Sequence, residues 1–231
     1  MPFTKQEVIL LLKQSGIVPV FHHPDVDTLM HVVDISYKCG LRVFEFMHQR
    51  DNKGLRLFNH IRERAHKYPG MVLGVGTVLD ATMTERYLQI GARFIASPFI
   101  RPEMASICHE QDVLWMPGCT TLSDVAWSRS LGASVIGVLP ANILGPEFIR
   151  SVKNENPDLD FIPSGIVDID PPSLTKWYNA GSMSLKISAP LFPKEAVTAK
   201  DWSSIEKVIF GHLKNISKIR TSLKLVNPTS N

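Results

Sequence analysis

L131-G-A-S-V-I-G-V-L139 contains, in order, the end of a helix, a glycine suited to a left-handed helix terminator, and a short apolar strand. The same phrase recurs as C39-G-L-R-V-F-E45, I90-G-A-R-F-I-A96 and A180-G-S-M-S-L-K186. Its glycines, Gly40, Gly91, Gly132 and Gly181, lie 51, 41 and 49 residues apart, an internal period of about two strand-helix units. Candidate strands read I17-V-P-V-F21, R42-V-F-E-F46, M71-V-L-G74, A92-R-F-I-A96, V113-L-W-M116, S134-V-I-G-V138, D160-F-I-P163 and M183-S-L-K-I187, with amphipathic stretches between them. Eight strands alternating with helices predict an α/β fold, a TIM (β/α)8 barrel built on a parallel sheet.

Helix starts support that frame. Asp25, Asp80 and Asp170 can each accept from free backbone amides, and Pro102 and Pro146 suit a first helical turn. An additional N-terminal helix from about Thr4 to Lys13 is expected to plug the bottom of the barrel. The chain, 1–231, reads as one barrel domain with its core at about 16–192, a loop from Pro193 to Lys200, and a C-terminal helix at about 201–220.

Composition narrows the partners. The net charge of +3 comes from 25 basic and 22 acidic residues, and no basic block or aromatic-interleaved stripe marks a nucleic-acid groove. A local positive site is enough for a small anion. The three cysteines, Cys39, Cys108 and Cys119, have neither metal-ligand spacing nor an even count, which fits a reducing compartment. The start of the sequence lacks a signal-peptide pattern and no apolar run has membrane-spanning length, so a cytoplasmic protein without membrane or nucleic-acid partners is expected.

The recurring phrase also predicts depth. Five residues after each terminating glycine stand Glu45, Ala96, Gly137 and Lys186, at similar heights in alternate strands. Side chains facing into such barrels form layers from alternate strands, and chemistry collects at the C-terminal mouth. Glu45 and Lys186 can therefore share a layer with only the first strand between them; the alternative is that both point outward and pair with helices. Facing inward, each charge needs a partner or a ligand.

Several motifs, in this order and spacing, carry a family likeness: G16-I-V-P-V-F21, G40-L-R-V-F-E45, G74-V-G-T-V-L-D80, Ala96-Ser97-Pro98, Pro117-Gly118-Cys119, L139-P-A-N-I-L-G-P-E-F148 and Pro163-Ser164-Gly165. From about Gly16 to Phe192 the chain resembles the 2-keto-3-deoxy-6-phosphogluconate and 4-hydroxy-2-oxoglutarate aldolases. The resemblance implies a class I lyase that forms a Schiff base with pyruvate, needs no cofactor or metal, and assembles as a homotrimer. It implies that Glu45 is the general acid and base. Arg50 matches the arginine that holds the substrate carboxylate, displaced by one residue, with Gln49 as the competing assignment. Thr77 matches the pyruvate pocket, Pro98 and Gly118 shape the mouth, and Ser164, Gly165 and Ser188 lie in the turns that hold phosphate in the family.

The sequence departs from the pattern where the covalent chemistry belongs. The stretch from Gly137 to Pro140 reads GVLP, with Gly137 at the position where the resemblance places the Schiff base lysine. The phosphate turns, S164-G-I166 and K186-I-S-A189, have lost glycine. Three readings follow. In the first, Lys186 supplies the amine from the eighth strand, since a lysine in a dry pocket can become a nucleophile. In the second, Arg50 and Lys186 bind an anionic keto acid or sugar acid without a covalent step. A metal-assisted version would gather His22, His23 and His48 with Glu45, although scattered surface histidines explain them equally. In the third, the barrel is catalytically inactive and serves assembly or regulation, a reading favoured if Leu139 or Phe46 fills the space beside Gly137. Trp115, Trp127, Trp177 and Tyr178 can serve helix packing or a subunit interface, with most of them expected in the core.

Overall fold

The computed structural model describes residues 3–49, 53–166 and 168–226. Its strands are β1 (Ile17–Phe21), β2 (Val43–Met47), β3 (Val72–Gly76), β4 (Phe94–Ser97), β5 (Leu114–Cys119), β6 (Val135–Val138), β7 (Asp160–Pro163) and β8 (Leu185–Ile187). Helix α1 (Lys5–Ser15) precedes them, and α2 (Val26–Lys38), α3 (Lys53–Glu63), α4 (Ala81–Gln89), α5 (Pro102–Glu110), α6 (Leu122–Ser130), α7 (Ala141–Glu155) and α8 (Pro171–Asn179) alternate with them. Helices α9 (Lys194–Thr198) and α10 (Trp202–Val226) follow β8.

Every ladder is parallel, in the order β7-β6-β5-β4-β3-β2-β1-β8. Two isolated parallel bridges, Phe161 to Ser182 and Ser164 to Lys186, join β7 to β8 and close a TIM-type barrel along a thinner seam. The four repeat glycines do the job their spacing predicts: Gly40, Gly91, Gly132 and Gly181 have φ of +98°, +96°, +83° and +100°, which side-chain-bearing residues rarely adopt. Asp25, Asp80 and Asp170 cap α2, α4 and α8 by accepting from the amides of Thr28, Met83 and Ser173.

The core has two shells. Inside the barrel, Val18, Val43, Val72, Phe94, Leu114, Val135 and Ile162 pack with Val8, Ile9 and Leu12 of α1, so α1 is the expected plug. Between strands and helices lies a larger shell that includes Phe44, Phe46, Phe58, Ile95, Ile136 and Phe161. Arg220 of α10 donates to the carbonyls of Lys13 and Gln14 at the end of α1, and Tyr178 donates at 2.8 Å to Gly16 O, which also accepts from Leu185 N. A groove of about 1080 Å³ between α1, α8 and α10 lies at this N-terminal end, away from the strand C-termini.

Some expectations need correction. The stretch after Pro193 contains α9, and α10 runs past Arg220 to Val226 because Ile205, Ile209 and Ile216 keep one buried stripe along it. Pro146 does not begin α7 at its first residue: a turn from Ala141 precedes it, and Gly145, at φ +74° and ψ +168°, breaks the helix so that Pro146 starts its second part. Trp115, Trp177 and Tyr178 are buried, whereas Trp127 on α6 is 48% exposed.

Candidate active site

Strand alternation carries the inner surface of the barrel from Val43 to Glu45 on β2. On β8, Lys186 lies in register with the inward-facing Val18, and Glu45 lies in register with Val20 two residues further along β1. Both side chains therefore enter the same interior. Lys186 Nζ stands 2.7 Å from Glu45 Oε2, with side-chain exposures of 6% and 5%. The outward alternative is overturned. Among the described residues Oε2 accepts no hydrogen bond of ordinary geometry, so the close approach is an ion pair in which each group compensates the other's buried charge.

Gly76 makes this arrangement possible. A Cβ built on Gly76 would fall 1.9 Å from Glu45 Oε1, inside the carboxylate itself. Deeper in β3, Gly74 leaves comparable room for the Phe94 ring, 2.3 Å from its notional Cβ. The next residue after β3, Thr77, is exposed and has φ +60°, a strained conformation for a β-branched residue and one that concentrates at functional sites. His48 N donates to Gly76 O at 2.9 Å, tying the ends of β2 and β3 together.

The opposite side of the mouth is apolar. A Cβ on Gly118 would lie 2.4 Å from Leu139 Cδ2 and 2.5 Å from the Pro98 carbonyl oxygen, so the ends of β4, β5 and β6 converge at this glycine. Gly137 lies in register with Gly118 and with Ile162. The three atoms nearest to its notional Cβ belong to the backbone of Pro117 and Gly118, Pro117 O being closest at 3.2 Å. Leu139 thus leans over Gly118. Phe46 belongs to the outer shell, where it packs on Phe58 and His22.

The turns after β7 and β8 are internally bonded. Ser164 bridges to Lys186 and its carbonyl accepts from Ala141 N at 2.8 Å; Gly165 follows at φ +87°. The Ser188 carbonyl accepts from the amides of Leu191 and Phe192, at 3.0 and 3.3 Å. Arg50, the expected carboxylate ligand, lies outside the described residues. His22, His23 and His48 do not come together with Glu45 as a metal-holding group among the described residues. His48 is buried, with Nδ1 2.8 Å from the Tyr87 hydroxyl, and His23 stacks on Phe21.

Sequence reasoning missed the space-giving role of Gly76 and the packing of Leu139 on Gly118. The first has a visible signal, a glycine in step with the inward positions of β3. The second has none, because it depends on the rotamer of one leucine.

The class that the structure defines is the parallel (β/α)8 barrel, here with a buried lysine-glutamate pair brought together from the middle of β8 and of β2. The whole sequence narrows the class: residues 8–208 match the aldolase family described as KDPG and KHG aldolase, and the chain belongs to that family. The 2-dehydro-3-deoxy-phosphogluconate aldolase of Pseudomonas aeruginosa is 24% identical over 199 residues, spanning 86% of this chain and 88% of that one. Its Haemophilus influenzae counterpart is 26% identical over 168 residues, 71% and 76% of the two chains. The fold is shared with the 2-keto-3-deoxy-6-phosphogluconate aldolase of Zymomonas mobilis solved with 3-phosphoglycerate, at TM-score 0.78, 21% identity and coverage of 90% and 95%. It is also shared with KDPG aldolase from Legionella pneumophila holding pyruvate as a covalent carbinolamine, at TM-score 0.76, 18% identity and coverage of 88% and 96%.

Proposed function

We propose that the chain is an aldolase-type lyase acting on a 2-keto acid, with Lys186 as the Schiff base amine and Glu45 as the proton carrier. The observation that supports this reading is the 2.7 Å approach of Lys186 Nζ to Glu45 Oε2 inside the barrel. Glu45 takes a proton from the ammonium, and the free amine attacks the ketone carbon of the substrate. The oxygen of that carbonyl is protonated and leaves as water, forming an iminium. The iminium draws in the electron pair of the bond between C3 and C4 while Glu45 removes the proton of the C4 hydroxyl. An aldehyde leaves, the enamine is reprotonated at C3, and water releases pyruvate with the lysine restored. Arg50 and the strained Thr77 turn are assigned to the substrate carboxylate, and Pro98, Gly118, Ser164, Gly165 and Ser188 to the walls. The reading requires neither metal nor cofactor.

Borohydride reduction in the presence of pyruvate, followed by peptide mass analysis, tests it. The expected product is an adduct on Lys186; a fully unmodified Lys186 sinks the proposal. The free, buried thiols Cys39, Cys108 and Cys119 fit a reducing, cytoplasmic setting, and the family likeness supports a homotrimer.

A second reading has its own support. Position 137 is glycine and has no amine, as expected if the barrel binds a small anionic keto or sugar acid without turning it over, although neither Leu139 nor Phe46 is among the atoms nearest to it. Saturable pyruvate binding with no adduct and no aldehyde release would select this inactive form.

A further inference from the structure

The distal part of α10 lies beyond the family match, and its charge is one-sided. The match ends at residue 208, and from Ile209 to Asn231 the sequence holds Lys214, Lys218, Arg220 and Lys224 and no aspartate or glutamate. These cations together exceed the net charge of +3 on the whole chain, so the remainder carries a slight acidic excess. Lys214 and Lys218 are exposed, and among the described residues no carboxylate pairs with either of them or with Arg220. Arg220 directs its hydrogen bonds to the neutral carbonyls of Lys13 and Gln14, which leaves its charge uncompensated.

The same part of α10 forms one wall of the groove of about 1080 Å³ at the N-terminal end of the barrel. Its Leu213, Ile216 and Leu223 line the groove together with Leu10 of α1 and with Met183. Ile216 and Met183 are 2% and 8% exposed and form the recessed base, whereas Leu10, 54% exposed, stands at the edge. Ser182 also lines the groove; it is buried, and its hydroxyl has no hydrogen-bond partner among the described residues. A buried hydroxyl without a partner is costly, and an occupant that offers a backbone carbonyl or amide would satisfy it. Ser217 and Thr221 belong to the α10 wall, and Lys214 and Lys218 stand three residues before them on the same exposed face of the helix. Of the charged groups in the lining, Lys13 is paired with Asp160 at 2.9 Å, so Arg220 leaves the groove with an excess positive charge.

We infer that this groove receives an acidic amphipathic segment of a partner protein, with its apolar side chains against Leu10, Leu213 and Met183 and its carboxylates toward Lys214, Lys218 and Arg220. Charge complementarity sets the sign of the partner. The recess sets its shape: Ile216 and Met183 lie too deep for a flat bilayer to reach, and a peptide laid in a groove can reach them. The apolar base and Asp160 are ill suited to the phosphates of a nucleic acid. The groove lies away from the strand C-termini, so the inference stands apart from the chemistry assigned to Lys186 and Glu45.

Fluorescence anisotropy of a labelled short helical peptide, with leucine at helical spacing and glutamate elsewhere, titrated with the full chain tests it. The peptide should bind saturably, and its counterpart with lysine in place of glutamate should bind about tenfold more weakly. Raising salt from about 0.1 M to about 1 M, which shortens the screening length from about 10 Å to about 3 Å, should weaken the complex. Lys214→Glu combined with Lys218→Glu should weaken it about tenfold, the scale of two exposed charge pairs. Leu10→Asp should also weaken it, and all three positions are exposed, so the fold is retained. No saturable binding, equal binding of the two peptides, or full affinity in the charge-reversed protein overturns the inference. So does tighter association with phosphatidylglycerol vesicles than with the peptide, because α10 would then face a membrane. A chain that sediments as an oligomer, becomes monomeric on Leu10→Asp and does not bind the peptide gives the groove to a second copy, and overturns the inference as well.

Discussion

The β8-β1-β2-β3 side of the mouth and the β4-β5-β6 side use glycine for opposite ends. On the first, Gly76 withholds a Cβ so that a carboxylate can sit where it would be and meet an ammonium. On the second, Gly118 withholds one so that a leucine methyl and a carbonyl can close together. The same covalent omission thus builds a charged pair on one side and an apolar floor on the other, and the neighbour decides which. Gly137 is the third case: the three atoms nearest to its notional Cβ are all backbone, the closest at 3.2 Å.

The largest break in this comparison is Lys186→Met. It should abolish pyruvate trapping and leave Glu45 as an uncompensated buried charge, destabilising the fold by about 3–5 kcal/mol in urea unfolding. Adding Glu45→Leu should recover most of that stability without recovering any trapping; a double variant as unstable as the single would show that the pair is not the cause. Gly76→Ala comes next. It should cost about 1–3 kcal/mol by overpacking and slow trapping, because the carboxylate has to move. Gly118→Ala should cost a similar amount, about 1–3 kcal/mol, while leaving the trapping rate with pyruvate near wild type, since it disturbs the floor and not the pair. Gly137→Ala should fall below about 1 kcal/mol, because its nearest contact needs to yield only slightly. A larger penalty there than at Gly118 would reverse the ranking.

The smallest effect concerns Cys119, which follows Gly118 and reports on the packing behind the apolar side. Burial raises its thiol from an ordinary 9.0 to about 11. The folded state therefore holds that proton more tightly than the unfolded chain does. The associated stability is complete below about pH 9 and is lost as pH rises towards 11. Thiol titration at pH 8 should find Cys119 unreactive in the native protein and reactive in denaturant.

Much of the fold was legible because barrel geometry repeats. The glycine terminators take the left-handed conformation their spacing predicts, and strand boundaries moved by at most three residues, as when M183-S-L-K-I187 became Leu185–Ile187. The inward direction of Glu45 and Lys186 was legible only as one of two options, since a five-residue count fixes height and leaves the facing open. Their ion pair decided it. The histidines were misplaced for a simpler reason: His48 is near Glu45 in sequence, but three steps along a strand reverse its face and carry it to Tyr87. The short helix α9 escaped notice because five residues give too brief a pattern to show a period.

The Arg220 contact with the end of α1 joins positions more than two hundred residues apart, and the pairing of β1 with β8 spans nearly as much of the chain. Loop closure over such distances comes late, after local units have formed. Glu45 and Lys186 lie on the two strands that flank β1, so their meeting awaits the same event. A nascent chain has its carboxylate long before its amine, and the pair exists only once the last strand has docked. Compensation of both buried charges is thereby coupled to completion of the barrel, and a chain whose last strand is not in place holds an unpaired carboxylate.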